Sequence, residues 1–131
     1  TQGLRTVSLA KDVEMQGAMG VVLNAPISNP NMLAVSMAID IPVVATVTRM
    51  DTDIRARLDA GASILNVACA DRTADIVRKN AKASDVPIIA SGGKTNETIS
   101  RTIEAGANAI TYTPPSTQEL FKQIMAGYRD E

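Results

Sequence analysis

The sequence contains no histidine and no tryptophan, and it has one cysteine, one phenylalanine and two tyrosines among its 131 residues. Without histidine, a nucleophilic thiol or hydroxyl needs a lysine or a carboxylate as its base, and a zinc site is not expected. The single cysteine, Cys69, excludes an intrachain disulfide and fits a reducing compartment. With so few aromatic residues, the chain has no stacking platform for single-stranded nucleic acid.

The chain also lacks a dominant charge and a long apolar run. Its formal net charge is −1, and the dispersed lysines and arginines form no basic stripe for a phosphate backbone. No apolar run reaches the roughly 18 residues of a membrane helix, and the N-terminus has no signal-peptide pattern. We therefore expect a cytoplasmic protein with no nucleic-acid partner and no membrane partner. A hydrophobic content of 45% fits one globular domain.

What the sequence does contain is a repeat. Gly17-Ala18, Gly61-Ala62 and Gly106-Ala107 each end a polar, helix-like stretch and precede a short apolar run. A second motif occurs at residues 40–46 and again at residues 85–91. In both segments an aspartate, an aliphatic residue and a proline precede a short apolar run. Both motifs recur after roughly 45 residues, which indicates that one supersecondary unit is stacked along the chain.

Hydrophobic periodicity predicts five short strands that alternate with six helices. The strands are expected at residues 20–24, 42–47, 63–68, 87–90 and 109–113, and the first of them has the pattern of a strand buried on both faces. Asp51 or Thr52 is expected to cap the third helix, and Ser116 with Glu119 forms a capping box before the sixth. This order predicts parallel βαβ units, arranged either as a partial (βα)8 TIM-barrel-like sheet or as an open doubly wound, flavodoxin-like sheet.

Two segments favour the barrel. Residues 87–93 and 104–110 resemble strands seven and eight of the phosphate-binding TIM-barrel superfamily, and residues 42–47 and 60–67 are similar to middle strands of small aldolase-like barrels. This resemblance implies that residues 1–131 are one α/β domain spanning strands four to eight of a larger (βα)8 barrel. The chain begins at Thr1 without an initiator methionine, which fits a fragment. It is also loosely similar to barrel proteins named hydrolases without an established activity, from which no catalytic residue is carried over.

In that superfamily a Ser-Gly-Gly turn presents backbone N–H groups to a ligand phosphate. The resemblance therefore implies an anion site at Ser91, Gly92 and Gly93, to which Lys94 and the following helix N-terminus add positive charge. Family members complete the phosphate cup with a glycine-containing turn after the last strand, whereas this chain has Thr-Pro-Pro-Ser at residues 113–116, and proline has no N–H. The alternative is that both glycines only permit a tight turn.

Other candidate residues follow the strands, where parallel α/β folds bind their ligands. Arg49 with Asp51 and Arg72 with Asp71 stand one βα unit apart; each pair can hold a carboxylate or phosphate and supply a general acid or base, or can be a helix cap beside a solvated arginine. Cys69 is a candidate nucleophile, with a buried, inert thiol as the alternative. The remaining candidates at the strand ends are Asn24, Ser28, Asn29, Thr46, Thr48, Asn66, Thr111, Thr113 and Ser116.

These patterns favour an enzyme or enzyme fragment that acts on a small anionic or phosphorylated metabolite, with lyase, isomerase and hydrolase chemistry not separated. Two alternatives stay open. One is a noncatalytic α/β domain that folds by self-association, since five strands leave two unpaired edges. The other is a sensor that binds a metabolite without turnover. No cofactor is predicted, although magnesium at Asp51 and Asp71 is compatible with the sequence, and we expect a homo-oligomer.

Overall fold

The computed structural model describes residues 2–93, 95–112 and 116–129. All the predicted elements are present there. The helices are α1 (Gln2–Met15), α2 (Asn29–Ala38), α3 (Ile54–Asp59), α4 (Thr73–Ala83), α5 (Asn96–Glu104) and α6 (Thr117–Arg129). The strands are β1 (Val21–Leu23), β2 (Val43–Val47), β3 (Ala62–Val67), β4 (Ile88–Ser91) and β5 (Ala109–Thr111), and a 3-10 turn at Ala70–Arg72 precedes α4. Within these ranges, no helix has the length and apolar character needed to cross a membrane.

The strands lie in the sheet in chain order, β1-β2-β3-β4-β5, and every neighbouring pair is parallel. This order shows that the flavodoxin-like alternative is wrong, because that sheet places its first strand between the second and third. Right-handed crossovers between neighbouring strands bring the four connecting helices, α2 to α5, to the same face. The chain is therefore an arc of a (βα)8 barrel, in which the connecting helices cover the convex face and leave the concave face without a helix layer.

Strand residues alternate between these two faces. On β2, Val43, Ala45 and Val47 belong to the buried core beneath the helices, whereas Val44 and Thr46 point to the concave side. The helices contribute buried apolar residues to the same core: Met32, Val35, Ile54, Ala74, Ile76 and Val77. The expectation that β1 is buried on both faces is wrong, because Val22, on the concave side, is 53% exposed.

The pairing of β2 with β3 contains a bulge. Val43 lies opposite Ala62 and Val44 lies opposite Ile64, so Ser63 has no partner of its own on β2. After the bulge the pairing is regular, with Ala45 opposite Leu65 and Thr46 opposite Asn66.

The glycines of the repeat end helices. Gly17, Gly61 and Gly106 follow α1, α3 and α5 with φ angles of 97°, 106° and 118°, a region that favours glycine. A Cβ on Gly61 would collide with the side chain of Ser36 on α2, and a Cβ on Gly106 would lie 3.0 Å from the Ala81 Cβ on α4. Ser36 and Ala81 are themselves one repeat apart. The repeat therefore preserves a close approach between a helix-ending glycine and a small residue of the preceding helix.

Side-chain caps begin several helices. Asp53 caps α3 by accepting a hydrogen bond from the Ala56 amide at 3.1 Å, so the prediction of Asp51 or Thr52 is wrong. The capping box at α6 is confirmed. The Ser116 amide donates to Glu119 Oε2 and the Glu119 amide donates to Ser116 Oγ, both at 3.1 Å. Because Asp53 caps α3, the Asp51 carboxylate is not used as a helix cap and is available at the end of the sheet.

Alanine substitutions at the three repeat glycines separate the two reasons for glycine, which are the positive φ and the close approach of a neighbouring helix. All three substitutions incur the backbone cost of a positive φ, about 1–2 kcal/mol. Gly61→Ala should lose a further 1–3 kcal/mol, roughly, through its collision with Ser36. Gly17→Ala is the matched control, since a Cβ added at Gly17 would have no atom within 4 Å. Urea unfolding should rank the losses Gly61 first, Gly106 second and Gly17 last, and equal losses would contradict the close-approach explanation.

Candidate functional site

Three polar side chains form a hydrogen-bonded row across the concave face. Thr46 Oγ1 donates to Asn24 Oδ1 at 3.4 Å and accepts from Asn66 Nδ2 at 3.3 Å. We call Asn24, Thr46 and Asn66 the polar row. They lie at the carboxyl ends of β1, β2 and β3, and the paired residues Ser91 and Thr111 end β4 and β5. The sequence predicted this end of the sheet as the ligand end, and the strand register brings these side chains together there.

A cavity of about 260 Å³ adjoins the polar row. It lies between the β1–α2 loop and the β2–α3 loop, and its lining consists of Ala25, Pro26, Thr46, Thr48, Arg49, Thr52 and Arg57. Arg57 is half-buried on α3, and its Nη1 donates to the Ile27 carbonyl at 2.7 Å and to Asn29 Oδ1 at 3.0 Å. We call this space the arginine cavity. It contains the predicted residues Thr48 and Arg49, whereas Arg57 is absent from the sequence-based set.

Arg57 is difficult to identify from the sequence because its role depends on a contact with a loop thirty residues earlier in the chain. A weak signal exists. Arg57 comes three residues after the buried Ile54, and this spacing places both residues on the same face of α3. An arginine on the inward face of a helix is a reason to look for an anion or a carbonyl partner.

The two predicted arginine–aspartate pairs differ in the structure. Arg49 Nη2 lies 3.0 Å from Asp51 Oδ2, with side chains 75% and 70% exposed, so this pair adds little to stability. Asp51 lines a second cavity of about 360 Å³ together with Asp53. Arg72 and Asp71 form no ion pair in the part of the chain that the structure describes. The two pairs therefore differ: Arg49 and Asp51 contact each other, whereas Arg72 and Asp71 form no ion pair within the described residues.

The Ser91-Gly92-Gly93 turn lines a third cavity of about 310 Å³, together with Asp71, Thr98 and Arg101. The Gly92 amide donates to the Thr111 carbonyl at 2.7 Å, so it is part of the sheet and is not available to a phosphate. The Gly93 amide has no partner within the described ranges, and its φ of +76° shows why glycine is used there. The turn thus offers fewer donors than the resemblance implies. Lys94 and Thr113, two further predicted site residues, lie outside the described residues.

Gly92 has a packing role that the sequence did not predict. A Cβ at this position would lie 2.6 Å from Ile110 Cγ2 and 2.9 Å from Ile99 Cγ1. These atoms belong to β5 and α5, so Gly92 lets the helix approach the sheet closely.

Cys69 fits the inert alternative better than the nucleophile. It is half-buried before the 3-10 turn, packs against the hydrophobic core, and its amide donates to Thr73 Oγ1 at 2.9 Å. The two candidate magnesium ligands are also separated, because Asp51 and Asp71 line different cavities. Across residues 2–93, 95–112 and 116–129, no three histidine, cysteine, aspartate or glutamate side chains group together as metal ligands.

Comparison with known proteins supports the fold assignment. No protein-family model matches the chain, and no curated protein matches it. Among solved structures, it is similar to mandelate oxidase in complex with benzoyl-formic acid, with 17% identity and a TM-score of 0.66 over 86% of this chain and 46% of that one. It is also similar to phosphonopyruvate hydrolase in complex with oxalate and Mg++, with 17% identity and a TM-score of 0.66 over 90% of this chain and 59% of that one.

These likenesses show the fold. The five βα units of this chain correspond to part of a TIM barrel, and the chain spans about half the length of the solved structures that it matches. The sequential strand order and single-sided helices agree with this assignment.

The packing role of Gly92 can be tested by a single substitution. Gly92→Ala should lower the free energy of unfolding by about 1–3 kcal/mol, because Ile110 and Ile99 must shift. Gly127→Ala on α6 is the control: no atom lies within 4 Å of the added Cβ, so stability should be unchanged or slightly higher. Urea unfolding measures both. An unaffected Gly92→Ala variant would show that the glycine serves something other than packing.

Proposed function

We propose that this chain is an enzyme, or part of one, of the TIM-barrel type, and that it acts on a small anionic metabolite at the carboxyl edge of the sheet. The observation that carries the proposal is the polar row on the bare concave face, directly beside a cavity lined by two arginines. The chain spans about half the length of its structural neighbours. An activity of the whole protein is therefore also a proposal.

The hydrogen bonds within the polar row determine what it offers to a ligand. Thr46 accepts from the Asn66 amide nitrogen and donates to the Asn24 amide oxygen. This leaves the Asn24 amide nitrogen as a donor and the Asn66 amide oxygen as an acceptor at the carboxyl edge. A row with free amide donors and a free amide acceptor recognises a hydroxyl or carbonyl group. On the same face, apolar Ile89 of β4 lies beside Asn66, and Ile64 lies nearer the amino end of β3.

The structural neighbours support an acid as the ligand. Mandelate oxidase is seen with benzoyl-formic acid and phosphonopyruvate hydrolase with oxalate, both of which are small carboxylic acids. In this chain the arginine cavity supports anion binding better than the Ser91-Gly92-Gly93 turn, because it has two arginines in its lining and the Gly92 amide of the turn is used within the sheet. Lyase, isomerase and hydrolase chemistry are all compatible with an anion held at this place.

Side-chain amide NMR tests this proposal. Titration with pyruvate should shift the Asn24 and Asn66 side-chain amide resonances, since both groups face the ligand. Asn108 is the internal control, because it lies before β5, at the opposite end of the sheet, where its Oδ1 accepts from the Ile88 amide at 2.9 Å. Thr46→Val removes the shared hydroxyl and should weaken binding about 3–10-fold, the effect of one neutral hydrogen bond.

The proposal fails if pyruvate, inorganic phosphate and glycerol phosphate all leave the Asn24 and Asn66 resonances unchanged at millimolar concentration. It also fails if Asn108 shifts as much as the polar row, since binding would then be unspecific.

Exposed apolar residues favour a second candidate function, a domain that associates with a second copy of itself. Within the described residues β1 pairs only with β2, and β5 pairs only with β4, so both outer strand edges are unpaired. Val22 on β1 is 53% exposed and Phe121 on α6 is 62% exposed. A second copy would supply both the missing strand partners and apolar cover, in a closed symmetric arrangement.

Sedimentation equilibrium tests self-association. The chain should sediment as a dimer or larger closed oligomer, and Val22→Glu should shift it toward monomer by placing a charge in the apolar contact. Lys122→Glu changes charge at an exposed position of α6 and should leave the mass distribution unaltered. A folded monomer at high protein concentration would contradict this second candidate.

A further inference from the structure

We propose that the arginine cavity binds the carboxylate group of a small organic acid, with Arg57 as its main ligand and Arg49 closing its mouth. This inference rests on the proposed function and names the chemistry by which the substrate is recognised.

The first observation is the charge of Arg57. Its guanidinium is half-buried, and its two partners, the Ile27 carbonyl and the Asn29 side-chain oxygen, are both neutral. The ion pairs of the described residues involve Arg49, Arg55, Arg78 and Arg101, but not Arg57. A partly buried cation without a counterion is costly, and a bound anion offsets that cost.

The second observation is the unused half of the guanidinium. Both hydrogen bonds that Arg57 donates come from Nη1, so Nη2 and Nε have no partner among the residues that the structure describes. These nitrogens form the planar fork with which arginine binds a carboxylate through two parallel hydrogen bonds. The two existing bonds fix the guanidinium in place before a ligand arrives, which reduces the entropy cost of binding.

The third observation is the lining of the cavity. It contains two arginines, three threonines, an alanine and a proline, and no carboxylate. Both arginines also line the neighbouring cavity of about 360 Å³, where Asp51 and Asp53 lie, so the side of the arginines without a carboxylate is the one that adjoins Thr46. Thr48, at the carboxyl end of β2, has no hydrogen-bond partner within the described ranges and can donate to an anion. The Arg49 side chain is paired with the exposed Asp51, and such a surface pair is weak enough to yield to a ligand.

The volume of the cavity limits its ligand to a small anion, and the donor type favours a carboxylate over a phosphate. The volume of about 260 Å³ is just below the usual lower limit of roughly 300 Å³ for small-molecule sites. Phosphate sites rely on glycine-rich turns and backbone N–H groups, whereas this lining has no glycine and Pro26 has no N–H. Thr46 belongs to both the cavity and the polar row, so a polar group next to the carboxylate would reach the row.

The experiment titrates the 131-residue chain with lactate, with its neutral isostere lactamide and with inorganic phosphate, and follows the Arg57 Nε–H and polar-row amide resonances. Lactate should bind at least tenfold more tightly than lactamide, because a charge-assisted hydrogen-bond pair is lost in the amide. Arg57→Gln should weaken lactate binding at least tenfold, and Arg57→Lys should restore only part of the loss because lysine lacks the fork. Arg55→Gln, two residues away and 85% exposed, should stay within twofold of the original chain.

Arg57→Gln also removes the contacts with Ile27 and Asn29, so a second variant is needed. Arg49 lines the same cavity, and its side chain is bonded to Asp51, not to Ile27 or Asn29. Arg49→Gln should therefore weaken lactate binding roughly threefold while leaving those contacts in place. Wild-type lactate affinity in both Arg57→Gln and Arg49→Gln overturns the carboxylate site. If lactate still shifts Asn24 and Asn66 in those variants, the proposed function stands without this site. Tighter binding of phosphate than of lactate overturns the ligand class, and the absence of any response in the polar row overturns both proposals.

Discussion

The right-handed crossover between neighbouring parallel strands is the constraint on which the rest of this structure depends. Since all four crossovers join strands that are adjacent in the sheet, the connecting helices α2 to α5 are brought to one face. The hydrophobic core then forms on that side alone, between the helices and residues such as Ala45 and Leu65. The other face is left without a helix layer, which is why polar side chains can lie open at its carboxyl edge and why apolar residues such as Val22 are exposed.

Much of the fold could be predicted from the sequence because its signals are local. Short apolar runs and helix-ending glycines depend on residues a few positions apart, and they identified every described strand and helix. The cap of α3 was misassigned because Asp51, Thr52 and Asp53 are all capping-type residues, and only the path of the chain selects Asp53. The sequence does not determine the strand order for a related reason: the same alternation of strands and helices is compatible with two sheets, and packing chooses between them.

The candidate site was predictable in its location and less so in its members. The rule that ligands bind beyond the carboxyl ends of parallel strands led to Asn24, Thr46 and Asn66. The rule does not show which hydrogen bonds join them, since that depends on strand register. Gly92 resembled a phosphate ligand in sequence, yet its amide and its missing Cβ serve the sheet and α5. Arg57 has no local signature because its partners lie on a distant loop.

The bulge at Ser63 links the amino end of β3 to the chemistry at its carboxyl end. In a strand, one extra residue exchanges the two faces for every side chain that follows. Ala62, before the bulge, is helix-facing at an even position, whereas Leu65 and Val67 are helix-facing at odd positions. Without this change of phase, Asn66 would be directed into the hydrophobic core and Leu65 would take its place near Thr46. The polarity of the ligand edge thus depends on a small, exposed serine near the opposite end of the same strand.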